Sequence, residues 1–146
     1  MQSQSELIAQ QIQNFYLNFN QASINELAEI YHSEVEFVDP IHHVAGLSAL
    51  QQYFANILHG VDYCHFEFGH SSINNDQVFL TWNMRFRHPN LGKGDEIVVP
   101  GVSHCQLRDE RVIYQRDFYD AGAMVYEHLP VLRFIIGKIK QRLNSA

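Results

Sequence analysis

Residues 28–58 read AEIYHSEVEFVDPIHHVAGLSALQQYFANIL, and the hydrophobic period of this stretch changes twice. Ile24, Leu27, Ala28, Ile30 and Tyr31 belong to a short helix, announced by Ser23 and Glu26 at capping-box spacing. Val35-Glu36-Phe37-Val38 then alternates as a short strand. Asp39-Pro40 stops that strand, because proline has no N–H to give to a ladder. After a loop holding His42, His43 and Gly46, apolar residues return at helical spacing: Leu47, Leu50, Tyr53, Phe54, Ile57 and Leu58. Gly60 ends this helix.

Upstream, Leu7, Ile8, Ile12, Phe15, Tyr16 and Phe19 mark one face of a first helix that starts at Ser5. Downstream the pattern is that of an antiparallel sheet, with strands at about 62–73, 76–88, 96–107 and 111–119. The turns between them fall at Asn74-Asn75-Asp76, Leu91-Gly92-Lys93-Gly94 and Arg108-Asp109-Glu110. Helices grouped before a strand meander define an α+β class, with three helices covering one face of a curled sheet and leaving a cavity. Beyond Pro130, Leu132, Ile135, Ile136, Ile139 and Leu143 form the stripe of an amphipathic helix. We expect a domain over 1–126 and a helical extension of it over 127–146. The stripe is expected to pack on the domain or at a subunit interface; its four cations are few for a membrane surface.

The composition narrows the classes of function. Net charge is −6, and four of the ten Lys and Arg residues (Arg133, Lys138, Lys140 and Arg142) lie in the tail, so no basic face for nucleic acid is expected. Cys64 and Cys105 have neither zinc spacing nor a disulfide framework. MQSQSELIAQQIQNF lacks the basic and apolar regions of a signal peptide, and no apolar run approaches a membrane span, so a cytoplasmic protein is expected. No Gly-rich phosphate loop appears, so no nucleotide cofactor is expected, nor any other. Nine histidines are many for this length, but without HxH or HExxH spacing no metal site is expected.

The quoted stretch resembles ketosteroid isomerases and SnoaL-like polyketide cyclases of the nuclear transport factor 2-like superfamily. The shared pattern is a helix-ending Tyr, an acidic strand, Asp-Pro, a Gly after a short loop, then a helix with Tyr-Phe. QRDFYD at 115–120 resembles the last-strand motif of many SnoaL-like proteins. The resemblance implies a cone-shaped curved sheet, a small-molecule pocket and a homodimer, but the fold hosts many functions.

It also implies site residues. Asp39 matches the general base of the isomerases, although Asp-Pro is equally a common turn. Ungapped alignment puts the isomerases' oxyanion tyrosine at Phe15 and their protonated aspartate near Ser103, an absent and a weaker donor, which argues against steroid isomerisation. Strand alternation from the alignment turns Arg116, Phe118 and Asp120 into the cone and Asp117 out of it. Arg116 would then be an anion clamp or a partner for Asp39, and Asp120 a second carboxylate. Limonene epoxide hydrolases, which share the fold, use an Asp-Arg-Asp arrangement to activate water. His42, Tyr53 and Trp82 complete the expected ligand-binding set. Two readings stay open: a cofactor-free isomerase, cyclase or hydrolase acting on a small, partly apolar molecule, and a non-catalytic binding or assembly module.

Overall fold

A computed structural model describes residues 1–125 and 128–145 of the chain; the boundary expected at 126/127 lies outside the described residues. Helix α1 (Gln4–Leu17) opens on a complete capping box, in which Ser3 accepts from the Glu6 amide and Glu6 accepts from the Ser3 amide. Its stripe of Ile8, Ile12, Phe15 and Tyr16 is buried. The next cap differs from expectation. Asn20, with Ser23 in the reciprocal role, caps a 3₁₀ turn over Gln21–Glu26, so α2 shrinks to Leu27–Ile30. Strand β1 consequently starts earlier and spans Tyr31–Val38. The His-containing loop adds a short β2 (His43–Ala45), antiparallel to β1, before α3 (Leu47–Gly60).

The long strands follow as β3 (Tyr63–Asn74), β4 (Gln77–Arg87), β5 (Ile97–Arg108) and β6 (Arg111–Tyr119). Two-residue loops join β3 to β4 and β5 to β6. In the latter Asp109 and Glu110 both have positive φ (53° and 64°), the backbone of a tight hairpin. Six strands form one sheet in the order β2-β1-β6-β5-β4-β3. All neighbours are antiparallel except β1 and β6, which are parallel. The three N-terminal helices lie on one face, and the core between includes Ile12, Leu27, Tyr31, Val35, Leu50, Val78, Leu80 and Val99.

A short α4 (Ala121–Met124) and α5 (Pro130–Asn144) complete the chain. On α5, Val131, Phe134, Ile139 and Leu143 are exposed. Among the described residues no helix is long and apolar enough to cross a membrane.

Candidate active-site cavity

Strand β1 fixes the first carboxylate. Val35 and Phe37 are buried, so Asp39 continues their inward parity one step beyond the strand's end. Pro40 cannot extend the ladder, and the chain turns. Asp39 Oδ1 accepts from the backbone N–H groups of Ile41 (2.8 Å) and His42 (2.7 Å), which makes the aspartate the organiser of its own turn. Its other oxygen accepts from the Tyr53 hydroxyl on α3. Burial, then the Asp39 hydrogen bond, pushes the Tyr53 phenol well above its usual range, so it remains a donor. The His42 ring stands 3.7 Å from Oδ1 and packs against Tyr53 at 4.8 Å between centroids.

The register of β1 against β6 supplies the second carboxylate. Phe37 is opposite Gln115 and Val38 opposite Arg116, so one step further Asp39 comes level with Asp117. Both line a cavity of about 410 Å³ between the helices and the sheet. This is at the small end of the usual range of about 300–1,000 Å³ for ligand pockets.

Asp117 Oδ1 accepts from Ser103 Oγ (2.6 Å) and from Gln115 Nε2 (2.9 Å). Gln115 Oε1 accepts from Tyr31 (2.6 Å), whose hydroxyl also meets that of Tyr16 (2.6 Å). On the other side Trp82 Nε1 donates to Ser103 Oγ (2.9 Å). A chain of six polar side chains thus runs across the cavity floor. Burial pushes the Asp117 carboxyl up to about 6, against the pull of Ser103 and Gln115, and the Asp39 charge adds to the rise. Trp82 can lie flat only because its β5 neighbour is Gly101, where a Cβ would stand 2.2 Å from the indole.

The expected inward face of β6 is corrected. Val112 is buried, and strict alternation from it would turn 116, 118 and 120 inward. Between the pairs Leu107–Val112 and Gln106–Tyr114, however, the ladder slips by one residue. Such a bulge inverts every later side chain. Gln115, Asp117 and Tyr119 therefore face the helices and cavity, while Arg116 and Phe118 are exposed on the outer face, the guanidinium 4.9 Å from the Phe118 ring. The Asp-Arg-Asp arrangement does not form. Asp120 is also outside the cavity: it accepts from the amides of Gly122 and Ala123 and caps α4.

Other expected residues divide. Tyr53, His42 and Trp82 line the cavity with Asp39. Phe15 does not; it packs in the core against Tyr16 (5.1 Å), Phe19 (5.8 Å) and Phe54 (6.4 Å). Ser103 sits beneath the cavity as a partner of Asp117 and Trp82. The two residues missed, Tyr16 and Asp117, lie beside the two expected ones, one step along α1 and one strand across from Ser103. The stripe Ile8, Ile12, Tyr16, Phe19 points to the first, whereas nothing in the sequence marks the bulge that reveals the second. Among the described residues no three His, Cys, Asp or Glu side chains converge as a metal site.

An apolar cavity with a few convergent polar groups lies between helices and a curved sheet, the layout of a cone-shaped α+β fold. Residues 12–115 match the SnoaL-like domain, and the chain belongs to that family. No curated protein sequence matches significantly. The fold is shared with a SnoaL-like protein from Jannaschia sp. CCS1 (TM-score 0.73, 16% identity, covering 83% of this chain and 88% of that one). It is likewise similar to TerC, co-crystallised with polyporic acid (TM-score 0.70, 16% identity, 84% and 95% covered). A ketosteroid isomerase-like protein from Catenulispora acidiphila DSM 44928, in complex with trimethylamine, gives TM-score 0.70 at 15% identity, with 83% and 90% covered.

Proposed function

We propose that the protein is a cofactor-free acid–base enzyme of the isomerase, cyclase or hydrolase kind, acting on a small, partly apolar molecule in this cavity. The observation that carries the reading is the pairing of Asp39 and Asp117 on one apolar wall in unlike settings. Two carboxyls whose surroundings separate their behaviour are the usual means of dividing acid and base roles. Among the described residues Asp117 accepts hydrogen bonds at Oδ1 alone, which leaves Oδ2 for a ligand, and a carboxyl near 6 can give or take a proton close to neutrality. Asp39, whose second oxygen accepts from Tyr53, is the other carboxyl of the pair.

Tyr31 gives its proton to Gln115 Oε1, so Tyr16 spends its own on the Tyr31 oxygen, and steroid-isomerase chemistry stays disfavoured.

One observation favours a binding module instead: both oxygens of Asp39 are already engaged, as a purely structural turn requires. A thermal-shift panel of small ketones, epoxides, lactones and amines, with turnover of each hit followed by NMR, separates the two readings. A ligand at about 100 times its Kd adds roughly 2.7 kcal/mol. The enzyme reading expects turnover that Asp117→Asn abolishes even at hit concentrations that saturate the variant. Hits that bind and never react overturn it in favour of the binding module.

We assign homodimerisation to the outer face of the sheet, where Phe79, Val98 and Phe118 are exposed. Light scattering that returns the 17.0 kDa monomer contradicts this.

A further inference from the structure

The charge of the cavity is one-sided. All ten Lys and Arg residues of the chain lie outside its lining, while Asp39 and Asp117 lie within it. The nearest strand cations are committed elsewhere: Arg85 pairs with Glu67 and Glu96, Arg87 lies over Tyr63, and Arg116 over Phe118. His42 and His88 are the remaining titratable bases in the wall. The rest is mostly apolar and unusually rich in rings. Among the described residues nine aromatic side chains line the space, including Tyr16, Phe37, Tyr53, Phe66, Trp82 and Tyr119.

Each property selects the same kind of guest. A carboxylate or phosphate would bring a further negative charge beside two others in a poorly solvated space, with no guanidinium or ammonium to meet it. A neutral guest would fill the volume and leave the two carboxyls sharing one cavity without a counter-charge. A cation would relieve their repulsion, and its apolar substituents would find aromatic faces whose negative quadrupole attracts it.

We infer that the cavity takes a small amine with apolar substituents, bound in its ammonium form against Asp117 and the aromatic wall. This rests on the cavity being the functional site and adds the chemical class of its ligand. Asp117 is the charge partner because its second oxygen is not engaged by the floor network, whereas both oxygens of Asp39 are held.

The test uses three probes of matched size: benzylamine, benzyl alcohol and benzoate, titrated near pH 7.5. Trp82 is the chain's single tryptophan and part of the wall, so its fluorescence reports occupancy of this cavity. Benzylammonium is expected to bind about ten- to a hundredfold tighter than benzyl alcohol, and benzoate weakest. Asp117→Asn keeps the shape and the Oδ1 acceptor. It should remove most of the preference for the amine while benzyl alcohol still binds, which also shows that the variant is folded. Benzyl alcohol or benzoate binding as tightly as benzylamine overturns the amine assignment but leaves the small-molecule site standing. An amine preference that survives Asp117→Asn overturns the assignment to Asp117. Failure of all three probes at millimolar concentration overturns both the amine assignment and the choice of this cavity.

Discussion

Asp39, one step past the end of β1, comes level with Asp117 within the parallel neighbour β6, yet the chain holds them by opposite means. Asp39 ends a strand, and backbone amides of its own turn supply two of its three donors. Asp117 lies within a strand whose amides are spent on the ladder, so its donors are the side chains of Ser103 and Gln115. Local geometry secures the first carboxylate. The second depends on a network spanning α1, β1, β4, β5 and β6, and is correspondingly exposed to changes elsewhere.

That contrast orders the effects of mutation. Gln115→Leu should be the most damaging, at about 2–4 kcal/mol, because it removes the acceptor of Tyr31 and a donor of Asp117 in a buried setting. Chemical denaturation measures it; a cost below about 1 kcal/mol would mean that the network is not cooperative. Asp39→Ala should cost less, about 1–3 kcal/mol, since the released Ile41 and His42 amides are exposed and water replaces the carboxylate. Asp39→Asn should cost less still. It leaves no buried arginine without a partner, because Arg116 is on the other face of the sheet.

The pH dependence sharpens the same comparison. The Asp117 carboxyl is raised from 3.8 to about 6 in the folded chain, so the folded state holds its proton more tightly than the unfolded state. Its contribution to stability is complete below about pH 3.8 and is lost as pH rises through about 6. Asp117→Asn lacks this loss. Its stability relative to wild type should therefore improve by about 1–3 kcal/mol between pH 4 and 7, the range allowing for solvent reaching the cavity. Parallel urea titrations at several pH values check this, and parallel curves for the two proteins would contradict it. The smallest effect belongs to Arg116→Ala, within about 0.5 kcal/mol in denaturation and without consequence for cavity binding. A large loss of binding would restore Arg116 to the site.

Much of the architecture is legible because it is local. The stripe of α3, the break at Asp39-Pro40 and the hairpin turns each follow from residues a few positions apart, and they place Asp39, Tyr53 and His42 around one opening. Asp117 was illegible for a specific reason. Val112-Ile113-Tyr114 is apolar throughout, so it does not fix which parity points inward, and the slip opposite Gln106 and Leu107 is a property of two strands at once. The second helix begins later than the Ser23–Glu26 spacing predicts because Asn20 is the cap, with Ser23 as its reciprocal partner. Phe15 packs in the core while Tyr16, one residue on, lines the cavity, because one residue on a helix is a rotation of about 100°.

Carbon-detected NMR of the aspartate carboxyls, followed as pH is varied, tests the central claim most directly. The account predicts that Asp117 titrates near 6 and that its midpoint falls in Asp39→Asn, where the neighbouring charge is gone. A midpoint at the ordinary 3.8, unmoved by Asp39→Asn, would contradict the two-carboxylate cavity on which the proposed chemistry and the amine ligand both depend.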